Sequence, residues 1–152
     1  MPAPAQEQKF QRRKEERPAE IMAAGLRIFA NKGFAAARLE EVAEAAGVSK
    51  ATIYLYFDSK ADLFAAIVRE IATPRFDEME RLLDTYDGPS ADLLNFMIGK
   101  LKEIATGTEL PALAKIILAE SSNFPEIREF YRDHVILRGF ANLSRVIERG
   151  IA

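Results

Sequence analysis

The chain has no cysteine and no tryptophan, and His134 is its single histidine. The absence of thiols excludes disulfides, thiolate metal sites and cysteine nucleophiles, and it is typical of a reducing compartment. A lone histidine also excludes histidine-rich metal sites and any Ser-His-Asp site that does not use His134. We therefore expect no metal site and no cofactor that depends on these ligands.

Long apolar runs and a strong excess of one charge are also missing. No run approaches the roughly 20 apolar residues of a membrane-spanning helix, and the opening MPAPA lacks the pattern of a secretory signal. We interpret the protein as cytoplasmic, without a membrane partner. The net charge of −2 excludes a protein that coats a polyanion over its whole surface. Residues 1–60 are slightly basic and residues 61–152 are acidic, so the first part is better suited to phosphates, unless the difference is ordinary variation in solvated charge.

Apolar residues at helical spacing predict an all-α chain, because no alternating strand pattern appears. Residues 1–17 are polar and rich in Pro, Ala and Gln, and they include five Lys and Arg. We interpret them as a flexible basic arm, which is either a solubilising tail or an arm that contacts DNA. Helix 1 is predicted to begin near Pro18 and to end at Gly33, which can adopt the left-handed cap conformation. Pro74 predicts a kink in helix 4. The remaining helices are predicted at about 39–46, 50–56, 60–83, 93–104, 111–122 and 125–147.

The segment 39–58, LEEVAEAAGVSKATIYLYFD, has the spacing of a helix-turn-helix. Ala43 permits two helices to cross closely, Gly47 permits a sharp turn, and Ile53 fills the joint. Ser49 is a good N-cap for a short second helix. In such a motif the second helix enters the major groove of DNA. The alternative is a plain helical hairpin that binds no nucleic acid.

The stretch IMAAGLRIFANKGFAAARLEEVAEAAGVSKATIYLYFDSKADLF resembles the N-terminal domain of the tetracycline-repressor (TetR) family of regulators, and AESSNFPEIREFYRDHV resembles the ligand-binding domain of one branch of that family. The resemblance implies a three-helix DNA-binding domain over 18–73, joined through helix 4 to a helical ligand-binding domain over 74–152. Relatives usually continue with two more helices that form the dimer interface. The resemblance therefore implies that the second domain lacks these helices, so that the chain is a fragment or forms its homodimer differently.

The resemblance also implies the residues that contact DNA. Lys50, Ala51 and Thr52 would lie at base edges, and Tyr54 and Lys60 would contact phosphates. An arginine, Arg38, stands where many relatives have a hydroxyl that caps helix 2 and touches phosphate. It could keep the contact by charge, but the cap would be lost. The expected DNA-contacting set is Arg38, Ser49, Lys50, Ala51, Thr52, Tyr54, Tyr56 and Lys60, with Tyr56 equally suited to packing.

Glu40 departs from the family pattern, because some relatives carry a base-reading basic residue at this place. A carboxylate would repel phosphate, although it can accept a hydrogen bond from cytosine. The sequence therefore leaves the base preference at this position open.

Relatives also bind a small molecule among helices 4 to 7, which implies an apolar site for a hydrophobic effector in this chain. Met and aromatic residues at helical spacing are more often plain core than ligand contacts. For Glu120 the alternative is a charge at a helix end, and for His134 it is a satisfied core or surface histidine. The expected lining is Met79, Leu83, Phe96, Met97, Leu101, Ile117, Glu120, Phe124, Tyr131 and His134.

We therefore expect a sequence-specific transcriptional regulator, a repressor that a hydrophobic effector releases from a palindromic operator. One alternative is a helical interaction module of the same fold that no longer binds DNA. A second alternative is a small all-α enzyme, suggested by the pairs Glu40-Glu41 and Asp77-Glu78. Adjacent residues of a helix do not face one another, and no nucleotide-binding loop or metal spacing appears. We therefore do not expect an enzyme.

Overall fold

The computed structural model describes residues 5–107 and 109–151, which form helices and short connections without any strand. The all-α prediction is therefore confirmed for the described residues. The chain divides into two compact units, the first ending at Ile67 and the second beginning at Val68, inside helix α4. The helices are α1 (Ala5–Lys32), α2 (Leu39–Ala45), α3 (Lys50–Tyr54), α4 (Lys60–Thr85), α5 (Ser90–Thr106), α6 (Glu109–Glu120), α7 (Pro125–Tyr131), a π-helical turn (Arg132–Ile136) and α8 (Leu137–Ile151).

Helix α1 begins at Ala5, which corrects the predicted start near Pro18. Residues 5–17 are therefore helical and not the flexible arm that their polarity indicated, whereas residues 1–4 lie outside the described part. The reason is local: Ala, Gln, Glu, Lys and Arg all favour helix. Pro18 is accommodated inside the helix at the cost of one backbone hydrogen bond.

Three phenylalanines form the centre of the first unit. Phe29 and Phe34 have ring centroids 5.2 Å apart, and Phe64 lies 5.8 Å from Phe34 and 6.3 Å from Phe29. All three are buried. Gly33 lies between the first two with a φ of 82°, which ends α1 as its sequence predicts and turns Phe34 back onto the core.

A close approach between α1 and the first turn of α4 completes this core. A Cβ added to Gly25 would lie 2.9 Å from Cδ2 of Leu63, so a side chain there would force Leu63 to move. The fully buried Ile53 anchors the short helix α3. The core thus fixes the position of α3 within the first unit.

The second unit has a buried cluster of Leu83, Leu93 and Val146, which come from α4, α5 and α8. Alongside it, arginines of α8 pair with acids of α4. Arg138 lies 3.0 Å from Asp77 and 2.9 Å from Glu80. Arg145 lies 2.5 Å from Asp84. We call this set the α4–α8 ion-pair ladder.

The predicted helix from Pro125 is present, but it is not uniform. A π-helical turn over Arg132–Ile136 separates α7 from α8. Pro74 lies inside α4 as predicted, whereas the kink expected there stays a prediction. Over the described residues, no helix is both long enough and apolar enough to cross a bilayer.

Candidate nucleic-acid interface

Helix α2 begins without a side-chain cap from Arg38, as the missing hydroxyl predicts. The N–H of Arg38 instead donates to the Glu41 carboxylate at 3.2 Å, a contact from inside the helix that the sequence does not predict. The same carboxylate pairs with Lys32 at the end of α1. These two partners lower the pKa of Glu41, the Lys32 contact more than the backbone N–H. Arg38 itself is exposed beside the start of α2.

The turn between α2 and α3 has the geometry that the spacing of Ala43, Gly47 and Ser49 predicts. Ala43 is buried, and its carbonyl accepts the N–H of Val48 at 2.9 Å. Gly47 has a φ of 67°, a left-handed conformation that favours glycine. Ser49 Oγ accepts the N–H of Thr52 at 3.0 Å, which confirms Ser49 as the N-cap of α3.

Helix α3 buries one face and exposes the other. Ile53 is buried, whereas Lys50, Ala51 and Tyr54 are exposed, the last by 43%. The Thr52 hydroxyl lies 2.8 Å from Ser49 Oγ, so these two predicted DNA-contacting residues are also hydrogen-bonded to each other. The short helix thus presents a lysine, a small residue and a phenol on one surface.

Beyond α3 the chain turns, and Tyr56 is half-buried in this turn. Its ring lies 6.5 Å from that of the buried Phe57. The sequence leaves packing and DNA contact open for this side chain, and its half-buried position is compatible with both.

Glu40 and Lys50 form an ion pair across the motif. The Lys50 ammonium lies 2.7 Å from the Glu40 carboxylate, and both side chains are substantially exposed. Their hydrogen bond lowers the pKa of Glu40 and raises that of Lys50. The sequence analysis considers each residue separately and does not predict the ion pair, because the two residues belong to different helices.

Lys60, expected at a phosphate, has a structural role in the first unit. Its ammonium donates to the carbonyls of Phe34 at 2.7 Å, Ala35 at 2.9 Å and Ala37 at 3.3 Å. These contacts use all three ammonium donors and hold the α1–α2 connection against the start of α4. A phosphate would have to compete with these carbonyls, and the expected contact stays a prediction.

The second unit contains an open, mainly apolar cavity of about 1600 Å³. Aliphatic and aromatic side chains of α4, α5, α6 and the segment from α7 to α8 line it. Five residues of the expected effector site are among them: Met79, Phe96, Met97, Leu101 and Tyr131. Burial raises the pKa of the Tyr131 hydroxyl.

The other five expected effector residues do not line this cavity. Leu83 is part of the buried cluster with Leu93 and Val146. Glu120 is buried at the last position of α6. His134 is exposed and stacks on Phe130 with ring centroids 3.9 Å apart. The remaining two are Ile117 and Phe124, both half-buried elsewhere.

The first unit therefore has the architecture of a helix-turn-helix protein, and the comparisons with known proteins agree. Residues 21–67 match the family model described as bacterial regulatory proteins, tetR family. The first unit thus contains a TetR-type DNA-binding domain, and the chain as a whole is similar to TetR-family transcriptional regulators.

The relatives resemble the chain beyond the DNA-binding domain. The fatty acid metabolism regulator protein of Bacillus subtilis is 28% identical over 142 residues, which cover 91% of this chain and 71% of that protein. The crystal structure of FadR from Bacillus subtilis in complex with stearoyl-CoA is 25% identical with a TM-score of 0.72, covering 88% of this chain and 70% of that one. The SmeT–triclosan complex is 27% identical with a TM-score of 0.75, covering 87% and 64%. The chain thus spans about two thirds of the last structure.

Proposed function

We propose that this protein is a cytoplasmic transcriptional repressor that binds a palindromic operator as a homodimer and is released by a hydrophobic effector. The observation that carries the DNA-binding part is the surface of α3. Ser49 and Gly47 start this helix at a fixed angle, Ile53 anchors it, and Lys50 and Tyr54 stay exposed. Such a helix can enter a major groove while its partner helix crosses the backbone.

The side chains on this surface suit distinct parts of a duplex. Lys50 can donate to guanine or to phosphate, and the methyl of Ala51 can contact thymine. The hydroxyl of Tyr54 can donate to a phosphate, and little side-chain entropy is lost because the side chain has few rotatable bonds. Arg38 adds an exposed charge at the start of α2. The expected contacts therefore combine base reading with backbone positioning.

The cavity of the second unit supports the effector part of the proposal. Met79, Met97 and Leu101 give it an apolar surface, and methionine adapts to ligands of varied shape. The two similar solved structures are described as complexes with stearoyl-CoA and with triclosan, both of which have large apolar parts. We therefore place a hydrophobic small molecule in this cavity.

DNA binding is tested by selecting a binding site from random duplexes and measuring affinity against salt. A regulator that neutralises phosphates loses affinity with a log–log slope of about −0.9 per phosphate. We expect a palindrome with half-sites about 34–36 Å apart, or a multiple of that distance. Tyr54→Phe should weaken operator binding several-fold. The control is Arg132→Ala, which changes an exposed residue of the second unit and should leave operator binding unchanged. Failure to select any sequence would contradict the proposal and favour a helical interaction module.

Effector binding is tested by titrating stearoyl-CoA and triclosan against the protein–operator complex. We expect release of the operator, and Leu101→Lys should weaken this response because it places a charge in the apolar lining. Ile151→Lys is the matched control, since Ile151 is exposed and does not line the cavity. If the effector released the operator equally well from both variants, the cavity would not be the effector site. Light scattering of the chain alone and with operator tests the homodimer.

A further inference from the structure

We propose that Glu40 and Lys50 act together as one reading unit for a single G·C base pair in each half-site. This inference rests on the proposed DNA-binding function and deepens it. Lys50 is the first residue of α3, the part of a recognition helix that meets base edges. Glu40 belongs to the first turn of α2, and its carboxylate lies 2.7 Å from the Lys50 ammonium.

The pair presents a hydrogen-bond acceptor and a donor side by side at the same surface. A G·C pair presents the matching edge in the major groove: guanine O6 accepts and cytosine N4 donates. These two base atoms are joined by a Watson–Crick hydrogen bond, so they lie about 2.9 Å apart. The Lys50–Glu40 separation of 2.7 Å fits this spacing, with Lys50 on guanine and Glu40 on cytosine.

An A·T pair also offers a donor next to an acceptor, but its flanking atoms fit the pair poorly. On adenine the donor N6 lies beside the acceptor N7, which would repel the Glu40 carboxylate. On thymine the acceptor O4 lies beside the methyl group, which offers nothing to the Lys50 ammonium. On guanine the two acceptors O6 and N7 are adjacent and can both receive Lys50 donors. The pair therefore favours G·C over A·T.

The ion pair also allows a carboxylate to approach DNA, because the positive charge of Lys50 offsets the negative charge of Glu40. Glu40 alone would be repelled by phosphates, whereas the adjacent Lys50 neutralises it. Each residue stabilises the charged form of the other, since the pKa of Glu40 is lowered and the pKa of Lys50 is raised. Both side chains remain exposed and can reach a base pair without disturbing the core.

The test measures affinity for the selected operator and for a panel in which each base pair is replaced by the other three. For the unaltered protein, we expect one position per half-site where replacing G·C by A·T costs about tenfold or more. The double variant Glu40→Ala/Lys50→Ala should lose discrimination at that position and keep it elsewhere. The charge-matched control is Arg132→Ala/Asp133→Ala, an exposed pair of the second unit, which should leave the whole panel unchanged.

A second variant makes the test independent of a general loss of affinity. Glu40→Lys/Lys50→Glu exchanges donor and acceptor, so it should prefer the same operator with that one base pair inverted. An unchanged panel for both double variants would overturn the inference while leaving the proposed function intact. A protein that selects no operator at all would overturn both.

Discussion

The left-handed conformation of Gly47 makes the sign of one substitution predictable. Nothing lies within 4 Å of a Cβ added at Gly47, so Gly47→Ala tests the backbone alone. Its φ of 67° places alanine in a region that costs roughly 1–2 kcal/mol. Alanine also restricts the unfolded chain more than glycine does, and this offsets about 0.4–1 kcal/mol of that cost. We expect a net loss of about 1 kcal/mol in the free energy of unfolding, measured by urea denaturation followed by circular dichroism.

Gly99 provides the matched control, because it also has nothing within 4 Å of an added Cβ. It lies inside α5, where alanine is favoured over glycine by about 1 kcal/mol. The same chemical change should therefore stabilise the protein at residue 99 and destabilise it at residue 47, a difference of about 2 kcal/mol. Equal effects at the two positions, or a stabilising Gly47→Ala, would refute the assignment of the turn.

Three further predictions concern packing and charge. Phe64→Ala should lower the free energy of unfolding by about 3–5 kcal/mol, because it opens a cavity between two buried rings; urea denaturation measures this loss. Arg138→Ala should cost about 1 kcal/mol in low salt and less in 1 M salt, since its ion pairs with Asp77 and Glu80 are partly exposed; paired denaturation curves would show the difference. The pKa of Glu41 is lowered in the fold, so its stabilising effect is present above its unfolded pKa and is lost as pH falls through the folded value. Melting curves from about pH 6 to pH 3 should therefore show a smaller loss for Glu41→Gln than for the unaltered protein.

The helix-turn-helix was predictable because its signals are local in sequence. Gly47 permits the left-handed turn because it has no Cβ, and Ser49 caps α3 through its hydroxyl. Ile53 follows at a spacing that predicts its burial. The start of α1 differs from the prediction because a local signal, Pro18, indicates a helix start at that residue. The residues before it also favour helix, and α1 therefore begins at Ala5.

The contacts made by tertiary structure were not predictable from spacing. Lys60 reaches carbonyls of residues 23 to 26 positions earlier, so only the packing of α1 against α4 brings them together. The Glu40–Lys50 pair depends in the same way on the angle between α2 and α3. Local periodicity indicates which side chains are apolar but not how neighbouring helices are rotated. Leu83, which the sequence assigns to the effector site, therefore lies in the buried cluster of the second unit and outside the cavity lining.

The π-helical turn at Arg132–Ile136 has a consequence for changes in chain length. Such a turn holds one more residue than the α-helical turn it replaces, with the flanking helices still in phase. Removing one of these five residues should convert the turn to α-helix and leave α8 facing α4 as before. Removing one residue after Leu137 would instead rotate the rest of α8 by about 100° and direct Arg145 away from Asp84. The π-helical turn is thus a site where this long helix can change length by one residue without losing its ion-pair ladder.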